Sequence, residues 1–190
     1  MLKVGIIVGS TRPGRKALDV AKWFEAIATT RGDATYEVVD IADYHLPLFD
    51  EPMPPSLGRY SKEHTKKWAA KIASLDAFVF VTPEYNHSTS GALKNALDFL
   101  FAEWANKSAG FVGYGSSLGA RAIEHLRGML GELQVADVRT AVGLSLFEDF
   151  EGFTVFKPRD LHKTNINHML DQVVGWGTAL KGYREQHAKK

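Results

Sequence analysis

Residues 77–82 read AFVFVT. A strand with one face in water alternates apolar and polar residues, and this one does not, so both of its faces are expected to be buried. A strand covered on both sides needs a layer of structure above it and another below. The chain supplies those layers repeatedly. Apolar, β-branched runs at 2–8, 35–41, 77–82, 109–114 and 138–146 alternate with helical periodicity at 14–30, 61–74, 91–103, 120–133 and 164–187. In the first helical segment Leu18, Ala21, Trp23, Phe24 and Ile27 recur at helical spacing, and Pro13 is expected at or near its first turn. In the third, Leu93, Ala96, Leu97 and Leu100 share a face. Strand followed by helix, five times over, predicts an α/β three-layer sandwich: a five-stranded parallel sheet with right-handed crossovers and strand order 2-1-3-4-5.

At 190 residues the chain is expected to be a single domain, 1–190, and its apolar fraction of 45% is enough for a sizeable core. A net charge of +1, with no basic stripe among aromatics, argues against nucleic acid as a partner. The absence of cysteine removes disulfides, thiolate metal sites and cysteine nucleophiles, and fits a cytoplasmic protein. No run approaches the ~20 apolar residues of a membrane span, and MLKVGIIVGS is too soon broken by glycine for a signal peptide. The basic tail REQHAKK reads as a solvated helix end. Of the seven histidines, none repeats the i,i+4 spacing of a helical zinc pair, so no metal site is expected.

Ligands of such sheets sit beyond the carboxyl ends of the strands, where the strand order reverses. The loops after strands one, three and four are therefore the informative ones. The first, GSTRPGR at 9–15, imitates a P-loop through Gly9 and Gly14. Arg15 and Lys16 stand where a P-loop needs Lys and then Ser or Thr, so the hydroxyl that would hold Mg²⁺ is missing. There is no Gly-x-Gly-x-x-Gly for a dinucleotide either. What remains is an anion seat at a helix N-terminus, with hydroxyls from Ser10 and Thr11 and charge from Arg12 and Arg15. A plain strand–helix turn with two solvated arginines stays open. In the second loop Glu84, Tyr85, Asn86 and His87 crowd the end of the buried strand. A planar heterocycle needs such a place, with a flat side chain and backbone amides at its edge. The third, GYGSSLGAR at 113–121, has three glycines and two serines, and its amides could approach a ligand closely; a plain glycine-rich turn is the alternative.

Taken in order, GSTRPGR, PEYNHSTSGALKNALDFL and GSSLGARAIEHLR resemble the NADPH-dependent FMN reductase family, whose fold is flavodoxin-like. The resemblance runs from Met1 to about Leu146; the last forty-odd residues carry no matching motif. It implies an FMN phosphate held by Ser10, Arg12 and Arg15 with help from Thr11. It implies an isoalloxazine ring lined by Pro83, Glu84, Tyr85 and Asn86, chiefly through backbone, and a pyrimidine edge bordered by Gly115, Ser116 and Ser117. The arginine at 15 departs from the family, where a serine often stands near that position.

The resemblance further implies hydride transfer from NADPH or NADH to flavin N5, without an acid or base from the protein. Electrons would then pass to a small acceptor: free flavin, a quinone, an azo compound or a metal ion. Arg12, Arg15 and Arg121 are candidates for the 2′-phosphate of NADPH. The family commonly forms dimers or tetramers, which makes Phe101 and Trp104 candidates for a subunit interface. Two other functions compete. A flavodoxin-like electron carrier without NAD(P)H activity fits the fold, though such carriers tend to be strongly acidic. A P-loop nucleotide-binding module fits the first loop alone. His87 is either a substrate contact or a solvated loop residue. Phe147, Phe150, Phe153 and Phe156 either pack a loop onto the core or a partner subunit, or cap the nicotinamide site.

Overall fold

The computed structural model describes residues 1–187; the last three residues of the basic tail, 188–190, lie outside the described residues. Five parallel strands form the sheet: β1 (Leu2–Val8), β2 (Ala34–Asp40), β3 (Ala77–Pro83), β4 (Lys107–Gly115) and β5 (Val135–Ser145). Their order is β2-β1-β3-β4-β5, as the alternation predicts. β3 is buried along its whole length, as AFVFVT requires. Its side chains divide by the period of two. Ala77, Val79 and Val81 join one core with α1 (Ala17–Ala28) and α5 (Leu161–His187). Phe78 and Phe80 join the other core, with α2 (Glu63–Ala73), α3 (Gly91–Asp98) and α4 (Ala120–Glu132). Among the described residues no helix is long and apolar enough to cross a membrane.

Several boundaries differ from the sequence pattern, each for a physical reason. α1 begins at Ala17, so Pro13 is not in its first turn. Pro13 and Gly14 instead fill a β-turn closed by the Arg15 N–H on the Arg12 carbonyl at 3.0 Å. Gly14 has φ +71°, and Pro followed by positive-φ Gly is the type II pattern. α3 stops at Asp98 rather than 103, because the chain turns to bury Phe99, Leu100 and Trp104. β4 begins two residues early. Its opening polar pair is buried but satisfied: Lys107 Nζ donates to the Ile72 carbonyl and Ser108 Oγ to the Val173 carbonyl, both at 2.7 Å. The proline-rich segment 42–60 is tied to α2 by buried Glu51, which accepts from the N–H groups of Ser61 (2.8 Å) and Lys62 (2.9 Å). It thereby caps a helix whose own N-cap residue, Lys62, offers no side-chain bond.

Beyond β5 the chain makes a small antiparallel hairpin, β6 (Phe150–Glu151) and β7 (Val155–Phe156). Nothing in the sequence pattern announces it. Trp104 does not mark a subunit interface: it is fully buried, 5.1 Å from Phe78 and 5.9 Å from Trp68 between ring centroids. Phe101 is half-buried.

Candidate functional site

The site grows from the carboxyl ends of β1, β3 and β4. After β1 the chain crosses close to β3, where the Gly9 N–H donates to the Val81 carbonyl at 2.8 Å. Ser10 is buried, and its Oγ lies 3.2 Å from the Tyr85 hydroxyl. The type II turn then presents Arg12 and Arg15. The Arg12 guanidinium is exposed and has no hydrogen-bond partner among the described residues, whereas Arg15 is tied to Asp40 at the end of β2 at 2.5 Å. That tie fixes the guanidinium while leaving its buried Nε without a partner. α1 opens directly behind, and its N-cap residue Lys16 gives no side-chain cap. The N–H groups of that first turn have no acceptor within the helix, and that of Ala17 is directed at the Tyr114 hydroxyl.

After β3 the chain reverses in four residues. Tyr85 and Ser88 exchange both backbone hydrogen bonds, at 2.9 and 3.1 Å. Between them Asn86 and His87 both have positive φ, +47° and +73°, the backbone of a type I′ turn. Asn tolerates that conformation and His does so less readily. Glu84 turns inward, only 4% exposed, and pairs with Arg121 at the start of α4. Its carboxylate also accepts the Arg121 backbone N–H at 3.1 Å. Arg121 reaches Ser117 Oγ at 2.8 Å and His87 Nδ1 at 3.1 Å as well. It braces the second loop against the third, and its charge is engaged there. The third loop is held shut by Gly119: a Cβ at that residue would sit 2.6 Å from the Tyr114 nitrogen, and its φ is +69°.

These loops enclose an open cavity of about 260 Å³. Arg12, Gly14, Arg15 and Lys16 line it from the first loop, and Pro83, Glu84, Tyr85 and Gly115 from the ends of β3 and β4. Tyr114, Leu146, Phe153 and Thr154 complete it, and the sequence reading had not placed Tyr114, Leu146 or Thr154 there. Burial, helped by nearby Tyr85, raises the Tyr114 phenol above its ordinary value, so this wall stays uncharged. Five of the expected residues stand outside the lining: Ser10 is buried behind it, with its Oγ at the Tyr85 hydroxyl. Thr11 faces a separate cavity of about 460 Å³ with Ile41, His45 and Asn95. Asn86 sits in the turn; Ser116 is exposed, and Ser117 is spent on Arg121. His87 likewise points to Arg121.

The donor set suits FMN. An exposed arginine, a buried guanidinium N–H without an acceptor among the described residues and a helix start without a side-chain cap form an anion seat. A tyrosine and the rigid backbone of two loops form a flat wall of the same cavity.

Comparison with known proteins agrees. The profile of the family described as NADPH-dependent FMN reductase matches residues 2–149. The NAD(P)H-dependent FMN reductase ntnL of Nectria sp. is 41% identical over 128 residues, 64% of this chain and just under two thirds (64%) of that protein. An NAD(P)H-dependent FMN reductase of Schizosaccharomyces pombe is 39% identical over 149 residues, 77% of this chain and 74% of that protein. A 2-hydroxy-1,4-benzoquinone reductase of Burkholderia sp. is 32% identical over 143 residues, 70% of this chain and 73% of that protein. Among solved structures, the flavoenzyme FerB of Paracoccus denitrificans, an NAD(P)H:(acceptor) oxidoreductase, superposes with a TM-score of 0.72 over 94% of this chain and 98% of that one. At 23% identity that likeness shows a shared fold.

Proposed function

The chain belongs to the NADPH-dependent FMN reductase family, and on that premise we propose that it is an NAD(P)H-dependent FMN oxidoreductase whose cofactor lies in the cavity beyond β1, β3 and β4. The observation that carries this reading is the incomplete donor set at Arg12, Arg15 and the first turn of α1. Ser10, Arg12 and Arg15 hold the phosphate, with Thr11 contributing its backbone amide only, since its side chain faces the neighbouring cavity. Pro83, Glu84, Tyr85 and Asn86 hold the ring, and Gly115 with Ser116 and Ser117 borders it through backbone.

When bound, FMN supplies the redox chemistry, taking a hydride from NADPH or NADH and passing electrons to a second substrate. The chain's residues bind, orient and shield. The hydrogen-bonded turn at 85–88, braced by Glu84 and Arg121, keeps the ring wall rigid, which is what near-attack geometry demands. No side chain is assigned as acid or base. The anion seat is single and compact, which favours FMN over FAD. NADPH is preferred over NADH on the family's pattern; of the candidate cations for its 2′-phosphate, Arg12 and Arg15 are given to the flavin phosphate and Arg121 pairs with Glu84, so no residue is assigned to it. The acceptor is a small molecule: free flavin, a quinone, an azo compound or a metal ion.

The chain is further proposed to act as one FMN-binding domain over 1–190, in the cytoplasm, and to self-associate as a dimer or tetramer. The apolar side chains of Leu48, Phe49, Met53 and Leu57, exposed on one loop, support self-association. The test of the whole reading is the absorbance spectrum of purified protein before and after anaerobic NADPH. Flavin bands that bleach are expected. No bands after incubation with FMN would end the reading, and bands that persist under NADPH would leave only an electron carrier.

A further inference from the structure

The β6–β7 hairpin carries an unexplained residue at its tip. Phe153 has φ +59°, a conformation that bulky side chains adopt at a cost. It is also 60% exposed. Its aromatic neighbour is Phe147, itself exposed, edge-on at 5.7 Å. Neither the backbone nor the core gains from phenylalanine here. Gly152 beside it also has positive φ, +56°, and the turn is closed by the Thr154 N–H on the Glu151 carbonyl at 3.1 Å. Glycine or asparagine would suit such a turn at position 153 better.

The hairpin beneath the tip is not loose. Phe150 is buried, and Phe156 meets Trp23 of α1 at 5.4 Å. Asp149, wholly buried, receives hydrogen bonds from Ser145, Arg159 and His162. The phenylalanines thus divide: Phe150 and Phe156 anchor the hairpin, Phe147 is exposed beside the tip, and Phe153 lines the cavity with Arg12, Lys16, Tyr85 and Tyr114. A ligand with its anion at Arg12 and its ring at Tyr85 occupies the cavity that Phe153 also lines.

We propose that Phe153 is a retention residue for the cofactor, a fixed aromatic contact in the cavity wall that slows release of the bound flavin. This rests on the FMN reading of the same cavity. The contact is with the flavin and not with its phosphate, so FMN and riboflavin should feel it equally. The hairpin lies in the C-terminal segment, beyond the stretch 2–149 that matches the family model.

The experiment measures flavin release from loaded protein by fluorescence recovery on dilution, together with thermal unfolding of the apoprotein. Phe153→Gly should release both FMN and riboflavin about tenfold faster, the scale of one aromatic contact. The same substitution should leave the melting temperature equal or higher, since the strained turn relaxes. Phe153→Tyr should keep the parental release rate. A Phe153→Gly protein that loads FMN and releases it at the parental rate overturns this inference and leaves the FMN reading intact. A parental protein that takes up no flavin overturns both.

Discussion

Two polar clusters in this fold are built on opposite terms. Around Asp149 every oxygen is used: its carboxylate accepts from Ser145 N–H at 2.8 Å, Arg159 N–H at 3.1 Å, Arg159 Nε at 3.0 Å and His162 Nε2 at 2.9 Å. Only the far ring nitrogen of His162 lacks a partner. In the loop after β1 the groups are left open. Arg12 projects into the cavity without a partner among the described residues, Arg15 Nε is buried and unmatched, and Ser10 Oγ makes contacts no shorter than 3.2 Å. Unpaired polar groups cost stability. They are tolerated where a ligand completes them, and saturated ones mark architecture. The comparison predicts that the first cluster fails as structure and the second as binding.

The largest effect is expected at Asp149. Asp149→Ala leaves Arg159 and the buried His162 without their common acceptor and should cost about 3–5 kcal/mol of stability, the scale of a broken buried pair. Acid should act on the same group. Burial alone would raise this carboxyl, but the bonds from Arg159, the Ser145 N–H and His162 outweigh it and hold it at about 2. A carboxylate depressed in the folded state stabilises fully above its ordinary value of ~4 and loses that contribution as the pH falls toward 2. Glu51, also at about 2, works in the same window through the N–H groups of Ser61 and Lys62. The parental unfolding free energy should therefore fall between pH 4 and 2, and Asp149→Asn should flatten part of that fall. Denaturant melts across this range check it, and parallel curves for parent and variant would break the comparison.

Next in size is Arg12→Ala. FMN affinity should drop by ~1.5–3 kcal/mol, the worth of a hydrogen bond to a charged group. Riboflavin, which has no phosphate, should bind as before. The melting temperature should barely move, because Arg12 supports nothing in the fold. Titration of apoprotein with both flavins decides it, and equal losses would mean that Arg12 does not meet the phosphate.

The two clusters also differ in how far the sequence revealed them. The strand order was legible because AFVFVT can only be a covered strand, and strand–helix alternation leaves few topologies. Arg12 and Tyr85 were legible because they stand at strand ends in loops whose composition serves no core. The Asp149 cluster was not: Ser145, Asp149, Arg159 and His162 read as scattered polar residues until the chain folds back. Trp104 misled for the complementary reason, because its burial depends on a turn after Asp98 that helical periodicity does not signal. The pairing of Arg15 with Asp40 joins the turn before α1 to the end of β2, 25 residues on, which no single loop contains.

The smallest effect is expected at Tyr85, and it tests whether the two parts of the cavity lining are independent. Its ring lines the cavity and its hydroxyl meets Ser10 Oγ at 3.2 Å, so the side chain touches both walls. Tyr85→Ala removes a flat surface worth about 0.5–1.5 kcal/mol beyond its area. That loss should fall equally on FMN and riboflavin, which is the opposite of the Arg12 pattern. Tyr85→Phe keeps the ring and removes only the long bond to Ser10. It should bind both flavins within about 0.5 kcal/mol of the parent, below the usual range for a well-formed hydrogen bond. If Tyr85→Phe instead weakens FMN alone, the hydroxyl acts through Ser10 on the phosphate. The ring wall and the anion seat would then be one coupled unit rather than two.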